Sequence, residues 1–403
     1  MARRLTRASS GDGAAADTIA AVKVVVVGGG LGGLATAIAL RDAGCDVRVY
    51  EGASSARIEG ESISLWSSGV AALAALGVRE RFGNRLDRIR TLDRGGRRVV
   101  DLDVARIAAK FGHPNVAILR SDLLSVLASH LGEGAVSFGR RCVDVTTGPT
   151  GASVSFADGE TDDADIVVAA DGVHSVVRNT LWPGDRETYT GSVTWEGRTA
   201  MTPGYPGAGT VLTFAASGLF AGVVPLPGGE VHWFIDERRA SPQRAPGDGR
   251  RYLLDRRASY PDLLVRLVEA TPDDRLGFVP IFIRKLTRRW VRGRAVLLGD
   301  AAHAMGPALS QGANRAFGDA LALARCISSG ADIDRALAKY QRERAAATRL
   351  SWLESTVSLK VRDMRAFEVA LRVAPPSVVG AALARSMAPE RSVRRALASP
   401  PAP

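Results

Sequence analysis

Val22-Lys23-Val24-Val25-Val26-Val27-Gly28-Gly29-Gly30-Leu31-Gly32-Gly33 is the stretch on which the fold turns. Its first half is a β-branched run, the pattern of a strand buried on both faces of a parallel sheet. Its second half is a glycine loop. Leu34 to Ala43 then has helical character and stops at Gly44, a residue suited to ending a helix. Asp46-Val47-Arg48-Val49-Tyr50-Glu51 is a second strand. Strand, loop, helix and strand make one βαβ unit. Gly28, Gly30 and Gly33 fit G-x-G-x-x-G, and Leu31 inside the loop is a further cofactor-binding candidate. The first glycine permits the tight turn, the second lets backbone approach a pyrophosphate, and the third lets helix and strand pack closely. The helix N-terminus turns its partial positive charge to the phosphates. Glu51, at the end of the second strand, is placed to bond ribose hydroxyls and disfavours a 2′-phosphate. The unit therefore predicts dinucleotide binding, and by itself leaves FAD and NAD both open.

Outward from this unit, residues 70–80 and 121–131 are apolar at helical spacing, and short strands separated by Gly and Pro run from Ala135 to Phe156. Asp165–Ala170 is another buried strand. From Tyr189 to Asp236 strands alternate with Gly/Pro turns such as Pro225-Leu226-Pro227-Gly228-Gly229, which predicts an antiparallel sheet and a second domain. Residues 250–270 read as one helix, Ala295–Leu298 as a buried strand, and 312–328 and 331–365 as helices. The tail after Pro375 is weakly patterned.

Three further segments decide the cofactor. Gly293-Arg294-Ala295-Val296-Leu297-Leu298-Gly299-Asp300-Ala301-Ala302-His303-Ala304-Met305-Gly306-Pro307 leads into Ser310-Gln311-Gly312-Ala313-Asn314-Arg315. Asp165-Ile166-Val167-Val168-Ala169-Ala170-Asp171-Gly172 continues to Arg178, and Leu119-Arg120-Ser121-Asp122-Leu123 precedes a helix. In this order and spacing they resemble the class A flavoprotein monooxygenases, the para-hydroxybenzoate and salicylate hydroxylase group. The resemblance runs from about residue 22 to 360. It implies an α/β fold like that of para-hydroxybenzoate hydroxylase. A Rossmann-like FAD-binding domain with a parallel sheet would span residues 21–180 and 285–330, an antiparallel substrate sheet 181–284, and a C-terminal helical region 331–403; residues 1–20, polar, small and aperiodic, read by composition as a disordered leader.

The same resemblance implies noncovalent FAD, NADPH or NADH as cosubstrate, O2, and hydroxylation of an aromatic or polycyclic small molecule through a flavin C4a-hydroperoxide. Residue by residue, Asp300 would bond the ribityl chain and Arg120 would contact the cofactor. The helix opening at Gly312, Ala313 and Asn314 would face the flavin N1/C2=O edge, and Asp171 and Arg178 would lie on the route of cofactor and NAD(P)H. Asp300 has a plain alternative as a helix N-cap. His303 reads as a packing or hydrogen-bonding residue. Pro307 would close the floor of the substrate pocket, with the 193–234 sheet as its roof. Candidate lining residues are Trp195, Leu212, Phe214, Val223, His232 and Phe234, of which strand alternation turns about half inward. Glu196 and His232 are the acid–base candidates of this sheet. Epoxidation, Baeyer–Villiger insertion, oxidative rearrangement and a nonredox FAD-retaining protein stay open as alternatives.

The chain departs from the family pattern at several points. Gly60-Glu61-Ser62-Ile63-Ser64-Leu65 stands where relatives often read Gly-Ala-Gly-Ile, Ser310 stands where a glycine usually precedes the Gln-Gly pair, and Glu196 replaces a longer basic or amide side chain. Composition bounds the rest. The chain has 403 residues, 46% of them hydrophobic, enough for two intimately packed domains. The net charge of +11 reads as arginines spread over solvated helix faces. It does not read as a nucleic-acid surface, since no basic and aromatic recognition motif accompanies it. Three scattered cysteines and five unclustered histidines predict neither a disulfide framework nor a metal centre, and point to the cytoplasm. The apolar stretch from Val24 to Leu40 is interrupted by the glycine loop, so no transmembrane span is predicted.

Overall fold

Five β-branched or lysine side chains give the strand Lys23–Val27, which lies near the middle of a six-stranded sheet. In a computed structural model the described residues are 21–55, 62–79, 82–243, 247–330 and 332–398. The leader and the Gly60-Glu61 pair lie outside them. The sheet runs Val291–Arg292, Ala295–Leu297, Ile166–Ala169, Lys23–Val27, Asp46–Tyr50, Val136–Ser137. All neighbours are parallel except the first pair. Val24, Val25 and Val26 are wholly buried, as a strand covered on both faces requires. The helices Leu31–Asp42 and Gln311–Ile327 pack against each other, and a Cβ on Gly32 would press on Leu298 and Ala316.

The second sheet has seven strands in the order Leu276–Ile283, Thr188–Ala200, Glu230–Arg238, Leu219–Pro225, Thr210–Ala216, Arg88–Leu92, Arg98–Asp103. The last two come from the segment that the sequence assigned to the first domain. Arg88–Leu92 pairs in parallel with Thr210–Ala216, a long-range contact that leaves no local pattern. The boundary expected at residue 181 is thus crossed, and residues 88–103 belong to the second sheet.

The predicted 250–270 helix is two, Gly249–Leu254 and Asp262–Ala270, interrupted ahead of Pro261, whose ring restricts the residue before it. The 331–365 helix ends at Val361 and a new one begins at Arg365. The weakly patterned tail folds as Pro376–Met387 and Arg391–Ala398. Among the described residues no single helix is long and apolar enough to cross a membrane. The bent pair Arg365–Val373 and Pro376–Met387 passes only when its halves, at 108°, are taken together.

Candidate functional site

Each glycine of the first loop has its own reason. Gly28 adopts φ +107°, and a Cβ there would run into the Ala170 carbonyl. A Cβ on Gly33 would run into the carbonyl of Gly28. Both glycines are therefore demanded by packing. Gly30 differs: its missing Cβ faces open space, with nothing within 4 Å. It caps the helix Leu31–Asp42 without any side-chain bond, so the first-turn N–H groups are left for a ligand. Leu31 itself is buried. Glu51 accepts hydrogen bonds from the Gly29 and Ala53 N–H groups, each at 2.8 Å, which sets its carboxylate on the rim of this cradle. A pyrophosphate at Gly30 with its ribose at Glu51 fits these residues.

The second motif sits across the sheet. Gly299, at φ +58°, turns the chain out of its strand, and Asp300 begins the short helix Asp300–His303. Asp300 is exposed and is the first residue of the helix, with Gly299 in the N-cap position, so the N-cap alternative does not hold. Its Oδ1 lies 3.6 Å from where a Cβ on Gly312 would stand, so the carboxylate and the start of the Gln311–Ile327 helix face one space. Ser310 precedes that helix at φ +50°, ψ +36°, the one left-handed non-glycine among the described residues. The family's usual glycine would adopt this conformation freely, whereas serine does so at a cost of about 1–2 kcal/mol.

Several predicted residues serve the protein itself. The Asn314 side chain accepts from the Trp66 N–H at 3.1 Å and donates to the Ser310 carbonyl, and it occupies the space a Cβ on Gly69 would need. It braces the helix start against strand Ser62–Leu65, so its side chain is not directed at a cofactor. Arg178 is fully buried and donates to the Ala301, Ala302 and Lys285 carbonyls and to Asp185. It fixes the Asp300 helix from behind and is not on a route for NAD(P)H. Asp171 accepts from the Val177 N–H at 3.2 Å with one carboxylate oxygen; the other has no hydrogen-bond partner. Burial pushes its carboxyl above the usual range. Arg120 is exposed at the first turn of Arg120–Leu131. His303 is buried and bonded to Asp319 at 2.7 Å, a structural residue as its sequence context suggests.

A cavity of about 570 Å³ lies between the second sheet and the Pro307–Ser310 segment. Thr194, Glu196, His232, Phe234 and Asp236 point into it from the sheet, and Pro307 closes it. Gly277 leaves room for Glu196, since a Cβ there would meet its Cγ at 2.9 Å. His232 bonds Ser62 Oγ through Nδ1 at 2.8 Å and Glu196 through Nε2 at 3.3 Å. Trp195, Leu212, Phe214 and Val223 are corrections. They lie on the opposite face, packed with Ile235 beneath the helices at 249–254 and 262–270, where Trp195 stacks on Tyr252. One residue of register separates the two faces. Ser62, Asp236 and Arg362 line the cavity and were not singled out. The first stands beside the uncertain motif at residue 60, and the other two read in sequence as ordinary surface charges. Leu371, Val379 and Leu383, from the C-terminal helices, close the apolar end.

A family profile described as an FAD binding domain matches residues 21–351. An aurachin C monooxygenase/isomerase of Stigmatella aurantiaca is 34% identical over 321 residues, 79% of this chain and 84% of that protein. A 3-amino-4-hydroxybenzoate 2-monooxygenase of Streptomyces cremeus is 34% identical over 316 residues, covering 76% and 79%. An FAD-dependent urate hydroxylase of Klebsiella pneumoniae is 30% identical over 329 residues, covering 80% and 86%. The crystal structure of Klebsiella pneumoniae HpxO complexed with FAD and uric acid superposes with a TM-score of 0.85 at 28% identity, over 91% of this chain and 96% of that one. The glycine cradle, the exposed Asp300 carboxylate, the cavity and these likenesses agree: the chain belongs to the family of class A FAD-dependent aromatic monooxygenases.

Proposed function

We propose that the enzyme uses NAD(P)H and O2 to hydroxylate a planar aromatic or polycyclic molecule held between Pro307 and the cavity face of the second sheet. The observation that carries this reading is the hydrogen-bonded chain Ser62–His232–Glu196 opening into a largely apolar cavity. Bound FAD supplies hydride acceptance and oxygen activation, and the protein supplies position and electrostatics. Gly30 and the first turn at Leu31 hold the pyrophosphate, Glu51 the ribose and Asp300 the ribityl chain. Arg120 would reach the cofactor from its helix, and the N–H groups at Gly312 and Ala313 would favour negative charge on the ring edge they face. With its Nε2 held by Glu196, His232 takes a proton from a ring hydroxyl or N–H by way of Ser62, whose hydroxyl passes its own proton to Nδ1, and so enriches the ring in electrons. Apolar walls keep water from the reacting atoms. The three free thiols fit a cytoplasmic setting.

A panel of hydroxylated aromatic and heteroaromatic compounds, screened for stimulated NAD(P)H oxidation with mass analysis of products, tests the proposal. The expected result is a compound that gains one oxygen atom. NAD(P)H oxidation that no compound stimulates would overturn it. A second reading, oxygenation coupled to rearrangement, is favoured by the Stigmatella relative's name, and the product's carbon skeleton separates the two.

A further inference from the structure

At the other end of the cavity face from His232 stands a second polar pair. Asp236 lies four residues further along the same strand, about 13 Å at roughly 3.3 Å per residue. Phe234 lies between them on the same face. The Thr194 hydroxyl donates to Asp236 Oδ1 from the neighbouring strand. Asp236 Oδ2 lies 2.6 Å from Arg362 Nη2, at the end of the long helix Ile333–Val361. The approach is off-line: neither atom makes a hydrogen bond, and both are buried. Arg362 is 3% exposed and its guanidinium lies over the Phe220 ring at 4.7 Å, which fixes its plane. Its other N–H groups have no acceptor among the described residues. A guanidinium buried with so few hydrogen bonds is costly, and here it borders the cavity.

The pair offers a donor, Arg362, beside an acceptor, Asp236 Oδ2, and together they are electrically neutral. A carboxylate ligand would serve the donor but would bring a second negative charge against Asp236. A ring edge carrying C=O beside N–H serves both. Phe220 and Phe234 supply flat apolar surface next to it. We propose that Asp236 and Arg362 are specificity-determining residues that recognise the cyclic-amide edge of a fused-ring N-heteroaromatic substrate. The ring N–H donates to Asp236 and the carbonyl accepts from Arg362. The span to His232 exceeds a single ring, so the ring system extends from one polar station toward the other. This rests on the reading of the cavity as the substrate site.

The test titrates the FAD-loaded enzyme with 2(1H)-quinolinone, 2-naphthol and 2-naphthoate, following the absorbance of the bound flavin. Quinolinone is expected to bind about tenfold or more tighter than either naphthalene, the effect of satisfying a buried polar pair. Arg362→Met is expected to abolish that preference while flavin content stays the same. Should the single variant not fold, the double variant Arg362→Met/Asp236→Leu replaces the pair by apolar groups, a change that buried ion pairs often tolerate, and the same loss is expected. Binding of all three probes without preference, tighter binding of the naphthoate, or a preference that survives in the variants would overturn the recognition pair alone. No spectral change with any probe would overturn both the pair and the cavity as substrate site.

Discussion

The glycines of the first loop separate folding from binding. Gly30→Ala adds a methyl group to open space. Its cost to stability is expected to stay near 1 kcal/mol, as for an N-cap exchange, while FAD retention falls because the pyrophosphate must approach that backbone. Gly33→Ala places the same methyl group against the Gly28 carbonyl and should lower the unfolding midpoint before binding is even at issue. Thermal unfolding of the apoproteins and flavin content after gel filtration check both. If Gly30→Ala keeps a full complement of FAD, the cradle is misassigned. Asp300→Ala makes the complementary case. Since Asp300 caps nothing, its loss should leave stability unchanged and weaken FAD binding by roughly 1.5–3 kcal/mol, the worth of a charge-assisted hydrogen bond. Equilibrium dialysis of FAD gives the number. An unchanged affinity would leave Asp300 without the role its position suggests.

At the scale of elements, a buried charge cluster ties the C-terminal helices to the cofactor domain. Arg344, on the long helix, meets both Asp319 and Glu390, and Arg315 meets Glu390 as well. Burial alone would raise both carboxyls, but Arg344, with His303 at Asp319 and Arg315 at Glu390, outweighs it and holds them below their ordinary values. A carboxyl depressed on folding stabilises the native state above its unfolded pKa and loses that contribution as pH falls through the folded one. Glu390→Ala should therefore cost about 3–5 kcal/mol near neutral pH, as a broken buried pair does. The gap to the wild type should narrow on acidification below about pH 4. Denaturant unfolding across that range is the check, and a pH-independent gap would count against the cluster. These elements also show what the sequence conveys and what it does not. The glycine loop, the Gly299-Asp300 turn and the strand pattern of residues 189–236 are local signals, and the strands and turns they predict are present. Which face of a strand meets the cavity is not local: Trp195 and Glu196 alternate, and only the helices at 249–270 decide that Trp195 is core. Nor is the pairing of Arg88–Leu92 with Thr210–Ala216, or the meeting of Asp236 with Arg362 across more than a hundred residues.

For the whole molecule, the cavity walls come from chain segments far apart in sequence. The strand at 62–65, the sheet at 194–236, the Pro307–Ser310 turn and the helices from 354 to 386 all contribute. Such a site is complete only when these parts are drawn together, and a ligand touching several of them favours that state. Reduced flavin meeting oxygen in an empty cavity would waste NAD(P)H, so an occupied cavity is the condition under which reduction is useful. The proposed function predicts that NAD(P)H reaches the flavin through a transient opening, a motion of the microsecond-to-millisecond class. A true substrate is therefore expected to raise the rate of flavin reduction well above its ligand-free value. An unreactive mimic that fills the same space should raise it too, but release hydrogen peroxide in place of product. The proposed proton-transfer role of His232 predicts that His232→Ala keeps the ligand-stimulated reduction and loses about 10²-fold or more in product formation. Stopped-flow reduction with and without ligand, paired with peroxide and product assays, separates the steps. Reduction that is equally fast in the empty enzyme would remove substrate gating, and would describe an oxidase better than a monooxygenase.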